Sequence, residues 1–163
     1  MTTTPELEFF YDCSSPWTYF AFTRIIPLME QLYQRGVMEP EMIHELARHY
    51  AQQQNYVRAA HYYLELVDKF EPEPSVRVDA ADVFDKSDNT AEAAAQRELY
   101  LQINPQDKEE RIKLADYYYD QGEMRKALPH MLELIDKQVR RDDYLLAVAR
   151  IYLYSLGRTC LLY

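Results

Sequence analysis

The sequence predicts an all-α protein, a helical solenoid of about three and a half helix–turn–helix repeats with a short N-terminal strand–helix leader. Three observations predict it. Leu46-Ala47-Arg48-His49-Tyr50 returns in steps of 34 residues as Ala80–Phe84, Leu114–Tyr118 and Val148–Tyr152. Two further columns keep the same step, Ala59, Ala93 and Ala127 in one and Leu66, Tyr100 and Leu134 in the other. Only 3 glycines in 163 residues suits helices better than a turn-rich sheet.

The spacing has a physical reason. Leu46, Ala47 and Tyr50 lie on one helical face. A small residue at Ala47, Ala81, Ala115 and Ala149 lets a neighbouring helix approach closely, and the aromatic one turn later fills the space beside that contact. Ala59, Ala93 and Ala127 do the same for the second helix of each pair. One pair cannot bury its own apolar face, so stacked pairs share a continuous core.

The leader comes first in the chain. Leu7-Glu8-Phe9-Phe10-Tyr11 reads as a short aromatic strand bounded by Pro5 and Asp12. Pro16 is placed to open a helix from Trp17 to about Arg35, with Pro27 inside it as a kink and Gly36 as its C-terminal cap. First helices follow at about 41–53, 75–86, 108–120 and 142–156, and second helices at about 56–70, 90–102 and 124–139. Glu71-Pro-Glu-Pro-Ser75 and Asn104-Pro105 separate the repeats. Asn89-Thr-Ala-Glu92 and Asp107-Lys-Glu-Glu110 have capping-box spacing, and Gln121-Gly122-Glu123 is a tight turn. Pro129 implies a kink in the last second helix. Arg97 stands where a large apolar residue is expected, which predicts the loosest packing in the second repeat. Two domains follow, 1–36 and 37–163.

Two resemblances can be placed on these residues. The 34-residue period and its small-residue columns, over about 40–157, resemble the tetratricopeptide repeat family. Leu7-Glu-Phe-Phe-Tyr-Asp-Cys-Ser-Ser-Pro-Trp-Thr-Tyr-Phe-Ala-Phe, within residues 6–30, is similar to the opening strand and helix of kappa-class glutathione transferases and 2-hydroxychromene-2-carboxylate isomerases, which are thioredoxin-like proteins. The second resemblance implies glutathione as cofactor and Ser15 as the residue at its thiol. The remaining strands of that fold are not found, so Ser15 reads more simply as a helix cap, and no catalytic residue is assigned.

Composition narrows the function. Apolar residues make up 48% and charged residues 28%, enough for a core, and the net charge is −9. A nucleic-acid partner needs a basic surface, and anionic lipid repels an acidic one, so neither is expected. No secretory signal or membrane span is visible. Two cysteines, Cys13 and Cys160, form no framework and suit a reducing cytoplasm. His44-Glu45-Leu-Ala-Arg-His49 lacks the i, i+4 histidine spacing of a zinc-protease helix, so no metal is assigned. His61 and His130 read as surface or packing residues, and Tyr117-Tyr118-Tyr119 as core with flanking packing residues.

The concave face is the remaining candidate. The repeat resemblance implies that first helices line a groove for an extended peptide or a partner helix. By repeat position its lining is Glu41, His44, Glu45, Arg48 and Gln52, then Val78, Asp79, Asp82 and Lys86. The third first helix adds Glu109, Ile112, Lys113, Asp116 and Asp120, and the fourth adds Asp143, Leu146 and Arg150. Only fragments of the family's carboxylate clamp are present. The expected function is a non-catalytic protein-interaction scaffold whose acidic groove prefers basic or mixed apolar–basic peptides. The alternative is a glutathione-dependent transferase or isomerase present only as its N-terminal fragment. The leader strand and the apolar C-terminus are the candidate surfaces for self-association.

Overall fold

The computed structural model describes the backbone of residues 16–160 and the side chains of residues 24–153. The leader strand and Ser15 lie outside the described residues. Within them the protein is all-helical, with α1 (Pro16–Gln34), α2 (Pro40–Gln52), α3 (Tyr56–Lys69), α4 (Pro74–Lys86), α5 (Thr90–Ile103), α6 (Lys108–Asp120), α7 (Met124–Asp136) and α8 (Arg141–Cys160). Each helix packs chiefly on its neighbours in the chain. The helices α2, α4 and α6 begin one 34-residue period apart, as do α3, α5 and α7.

Local chemistry sets these boundaries. Pro40 and Pro74 open α2 and α4 at the first turn, where a missing N–H costs nothing. Asp107 caps α6 by accepting from the backbone N–H groups of Glu109 and Glu110 at 3.0 and 3.2 Å. Glu110 does not reach back to complete a capping box, because its carboxylate is held by Arg97 and Lys113. No side chain caps α5, and Asn89 instead donates to the Ser87 hydroxyl. Gly36 ends α1 at φ +86, with the Val37 N–H donating to the Leu32 carbonyl. Gln54, Asp88 and Gly122 occupy the same left-handed position after α2, α4 and α6, at φ 59, 63 and 74. Both α1 and α7 run through their internal prolines, Pro27 and Pro129.

The small-residue columns form the helix contacts. Ala47, Ala81, Ala115, Ala59, Ala93 and Ala127 are all fully buried. Ala149 differs: it is exposed on α8, as are Leu145 and Tyr152. Their repeat equivalents on α6, Arg111, Ala115 and Tyr118, are buried, and α7 follows α6 in the stack. At the other end α1 takes the place of a second helix before α2. Ile26 belongs to the first core cluster, with Ile25, Met29 and Tyr33 packed against it. The boundary drawn at Gly36 therefore falls between two helices that share one core.

Two corrections concern the interior. The core is not one continuous apolar body but two clusters, one from Ile26 to Ala93 and one from Ala94 to Val148. Between them lies Arg97, which is not a packing defect. Its side chain is 3% exposed and donates to Asp82, Asp85 and Glu110 at 3.1, 2.7 and 2.8 Å. Lys113 closes the network on Asp82 and Glu110 at 2.8 and 2.7 Å. A buried guanidinium is tolerated when carboxylates this close balance its charge.

A longer period is laid over the repeat. The Tyr50 hydroxyl donates to Glu30, and two repeats on the Tyr118 hydroxyl donates to Glu98. The Arg58 guanidinium stands 5.3 Å from the Tyr50 ring centre, and the Lys126 ammonium 4.9 Å from that of Tyr118. Tyr62 stacks on Tyr50 as His130 stacks on Tyr118. In the repeat between, the corresponding residues are Leu64, Phe84 and Glu92. A ring without a hydroxyl is matched by a partner without a carboxylate.

Candidate functional site

Among the described residues the first-helix face carries two clefts. The first lies between α2 and α4, has a volume of about 320 Å³, and is lined by Arg48, Ala51, Gln52, Tyr63, Asp79, Asp82, Val83 and Lys86. The second lies between α6 and α8, about 350 Å³ in volume, with Asp116, Tyr119, Asp120, Met131, Arg140, Asp143, Tyr144, Leu146, Ala147 and Arg150 around it. Between α4 and α6 the Asp82–Lys113 bridge spans the two first helices instead.

Second helices contribute the floors. Tyr63, Arg97 and Met131 share one repeat position, on α3, α5 and α7, and are 1%, 2% and 1% exposed. Tyr63 floors the first cleft and Met131 the second, while the Arg97 guanidinium is occupied by carboxylates. The sequence marks this column only at Arg97, as a departure from an apolar position, and its role as a cleft floor is hidden because Tyr63 and Met131 look like core. Its period of 34 residues was nevertheless the signal that could have found it.

The acidic residues expected along this face divide into two groups. Asp82 and Asp116 are neutralised internally, Asp82 by Arg97 and Lys113, Asp116 by Arg140 at 2.8 Å. Asp116 also accepts from the buried Tyr144 hydroxyl at 3.0 Å. Burial and the Asp116 charge raise the Tyr144 pKa, so the phenol remains a donor. Asp79, Asp120, Glu41 and Glu109 have no ion pair among the described residues, and Asp79 and Asp120 line the two clefts. Glu45 and Arg48 pair with each other at 2.9 Å. His44 is half-buried, its ring centre 6.0 Å from that of Tyr63, and its Nε2 is enclosed without a hydrogen-bond partner. Arg150 lines the second cleft without an ion pair among the described residues. Arg140, Tyr144 and Tyr119, missed from the sequence, complete that cleft.

A third cleft, of about 300 Å³, lies among Glu98, Leu101, Gln102, Arg111 and His130. Its charged groups are largely engaged. Arg111 donates to the Pro105 carbonyl and pairs with Glu133, and Glu98 accepts from Tyr118. Burial, with Arg111 beside it, lowers the His130 pKa. Among the described residues no three side chains of metal-ligating type converge, and no helix is long and apolar enough to cross a membrane. No family model, no curated protein and no solved structure matches this chain.

Proposed function

We propose that the chain is a tetratricopeptide-like solenoid acting as a non-catalytic protein-interaction module, holding a peptide or partner helix along its first-helix face. The observation that carries this reading is the placement of the two clefts. Both lie between successive first helices, each has room for a side chain, and each is lined by an acidic residue without an internal ion pair. The negative field favours a basic or mixed apolar–basic peptide. It is narrower than the sequence implies, because Asp82 and Asp116 are spent on internal cations.

The test is a pool of lysine- and arginine-rich peptides titrated against the full chain at low salt, read by fluorescence anisotropy. Binding is expected, and it weakens as salt rises because exposed charges are screened within about 8 Å at physiological ionic strength. Asp79→Lys with Asp120→Lys should abolish it. These positions are chosen because changing Asp82 or Asp116 would also break the internal bridges. Binding that survives the double change, or no binding at low salt, rejects the reading.

A further inference from the structure

The floor of the α2–α4 cleft holds a polar group with no protein partner among the described residues. Tyr63 is 1% exposed, yet its hydroxyl makes no hydrogen bond among the described residues. The enclosed side-chain atoms without a hydrogen-bond partner among the described residues are His44 Nε2, Glu65 Oε2 and Arg111 Nε, so the Tyr63 hydroxyl is open to the cleft rather than sealed. The repeat fills the same position differently elsewhere. At the same position Arg97 is held by three carboxylates and Met131 has no hydroxyl to satisfy. Of these three, Tyr63 is the one that offers a hydroxyl to a cleft.

The surroundings of that hydroxyl select the charge of what enters. Asp79 on the cleft wall is exposed and has no ion pair among the described residues. Arg48 is tied to Glu45 at 2.9 Å, and the Lys86 ammonium stands over the Tyr56 ring, 5.3 Å from its centre. Burial raises the Tyr63 pKa above the usual phenol range, and Asp79 adds to that rise more than Arg48 opposes it. Asp79 is thus the charged group of this lining left without an ion pair or a ring contact among the described residues, and a neutral phenol oxygen lines the same cleft.

We propose that the α2–α4 cleft is a pocket for one arginine side chain of the partner peptide, with Asp79 as its counter-ion and the Tyr63 hydroxyl as an acceptor at its floor. A guanidinium fits better than an ammonium because its planar fork reaches two acceptors in different directions at once. The pocket rests on the reading of the first-helix face as the partner surface, and specifies one anchor on it.

The test uses the full chain and a probe too small to span the groove. N-acetyl-arginine methylamide is titrated in, followed by the NMR signals of the Tyr63 ring and Val83 methyls, with N-acetyl-citrulline methylamide as the neutral counterpart. Arginine should move these signals and citrulline should not. Asp79→Asn, at an exposed position, should weaken the response at least tenfold. Tyr63→Phe keeps the ring and should weaken it several-fold, while Glu92→Gln, exposed on α5 away from the clefts, should leave it unchanged. Equal responses to both probes, a response that survives Asp79→Asn, or none at all overturns the pocket. Basic peptides that bind while the arginine probe leaves Tyr63 unmoved would reject the pocket and keep the groove; silence in both would reject both.

Discussion

Gln54, Asp88 and Gly122 occupy equivalent left-handed turn positions, and only the last is glycine. In each case the following N–H bonds back to the aromatic column, Asn55 to Tyr50, Asn89 to Phe84 and Glu123 to Tyr118, closing the first helix. A residue with a Cβ pays steric strain here, about 1–2 kcal/mol, part of which glycine would return as unfolded-state entropy. Gln54→Gly should therefore stabilise by about 0.5–1 kcal/mol, and Asp88→Gly by less, since aspartate tolerates this conformation better. Gly122→Ala should destabilise by about 1 kcal/mol, although nothing lies within 4 Å of where its Cβ would be. Urea unfolding of the three variants checks the order.

At the scale of the helix, the alanine columns are contacts only where a neighbouring helix covers them. Ala115 is fully buried, whereas Ala149, the same residue one period on, is exposed. Ala115→Leu should cost about 1–3 kcal/mol by overpacking a close helix contact. Ala149→Leu should stay within about 0.5 kcal/mol, as surface changes do. Equal thermal midpoints for the two variants would contradict the register of helix contacts described above.

Across the molecule, the two apolar clusters meet at an ion network rather than at side chains that interlock. Arg97→Met copies the residue that the third repeat uses, but it deprives the buried Glu110 of its closest guanidinium partner. A loss of about 3 kcal/mol is expected, because breaking one partner strands the other. Adding Glu110→Val, which copies Val76 of the preceding repeat, should recover most of that loss and let the clusters join. Chemical denaturation of the single and double variants decides between a network that stabilises and one that only satisfies its own charges. If the double variant is no more stable than Arg97→Met, the network has no apolar substitute at this position.

The sequence by itself determined the helices, their period and most of the buried columns. Those features rest on local rules, a 3.6-residue turn, prolines that open helices and alanines that repeat, and local rules are written in neighbouring residues. What the tertiary structure alone decided was which polar groups meet. That Arg97 is satisfied rather than disruptive depends on Asp82, Asp85 and Glu110 arriving from two other helices. That Asp82 and Asp116 are internally paired while Asp79 and Asp120 are not depends on where Lys113 and Arg140 reach. Along the chain these aspartates are indistinguishable. A charge is defined by its neighbours in space, and a stack of helices brings those neighbours from 12 to 31 residues away.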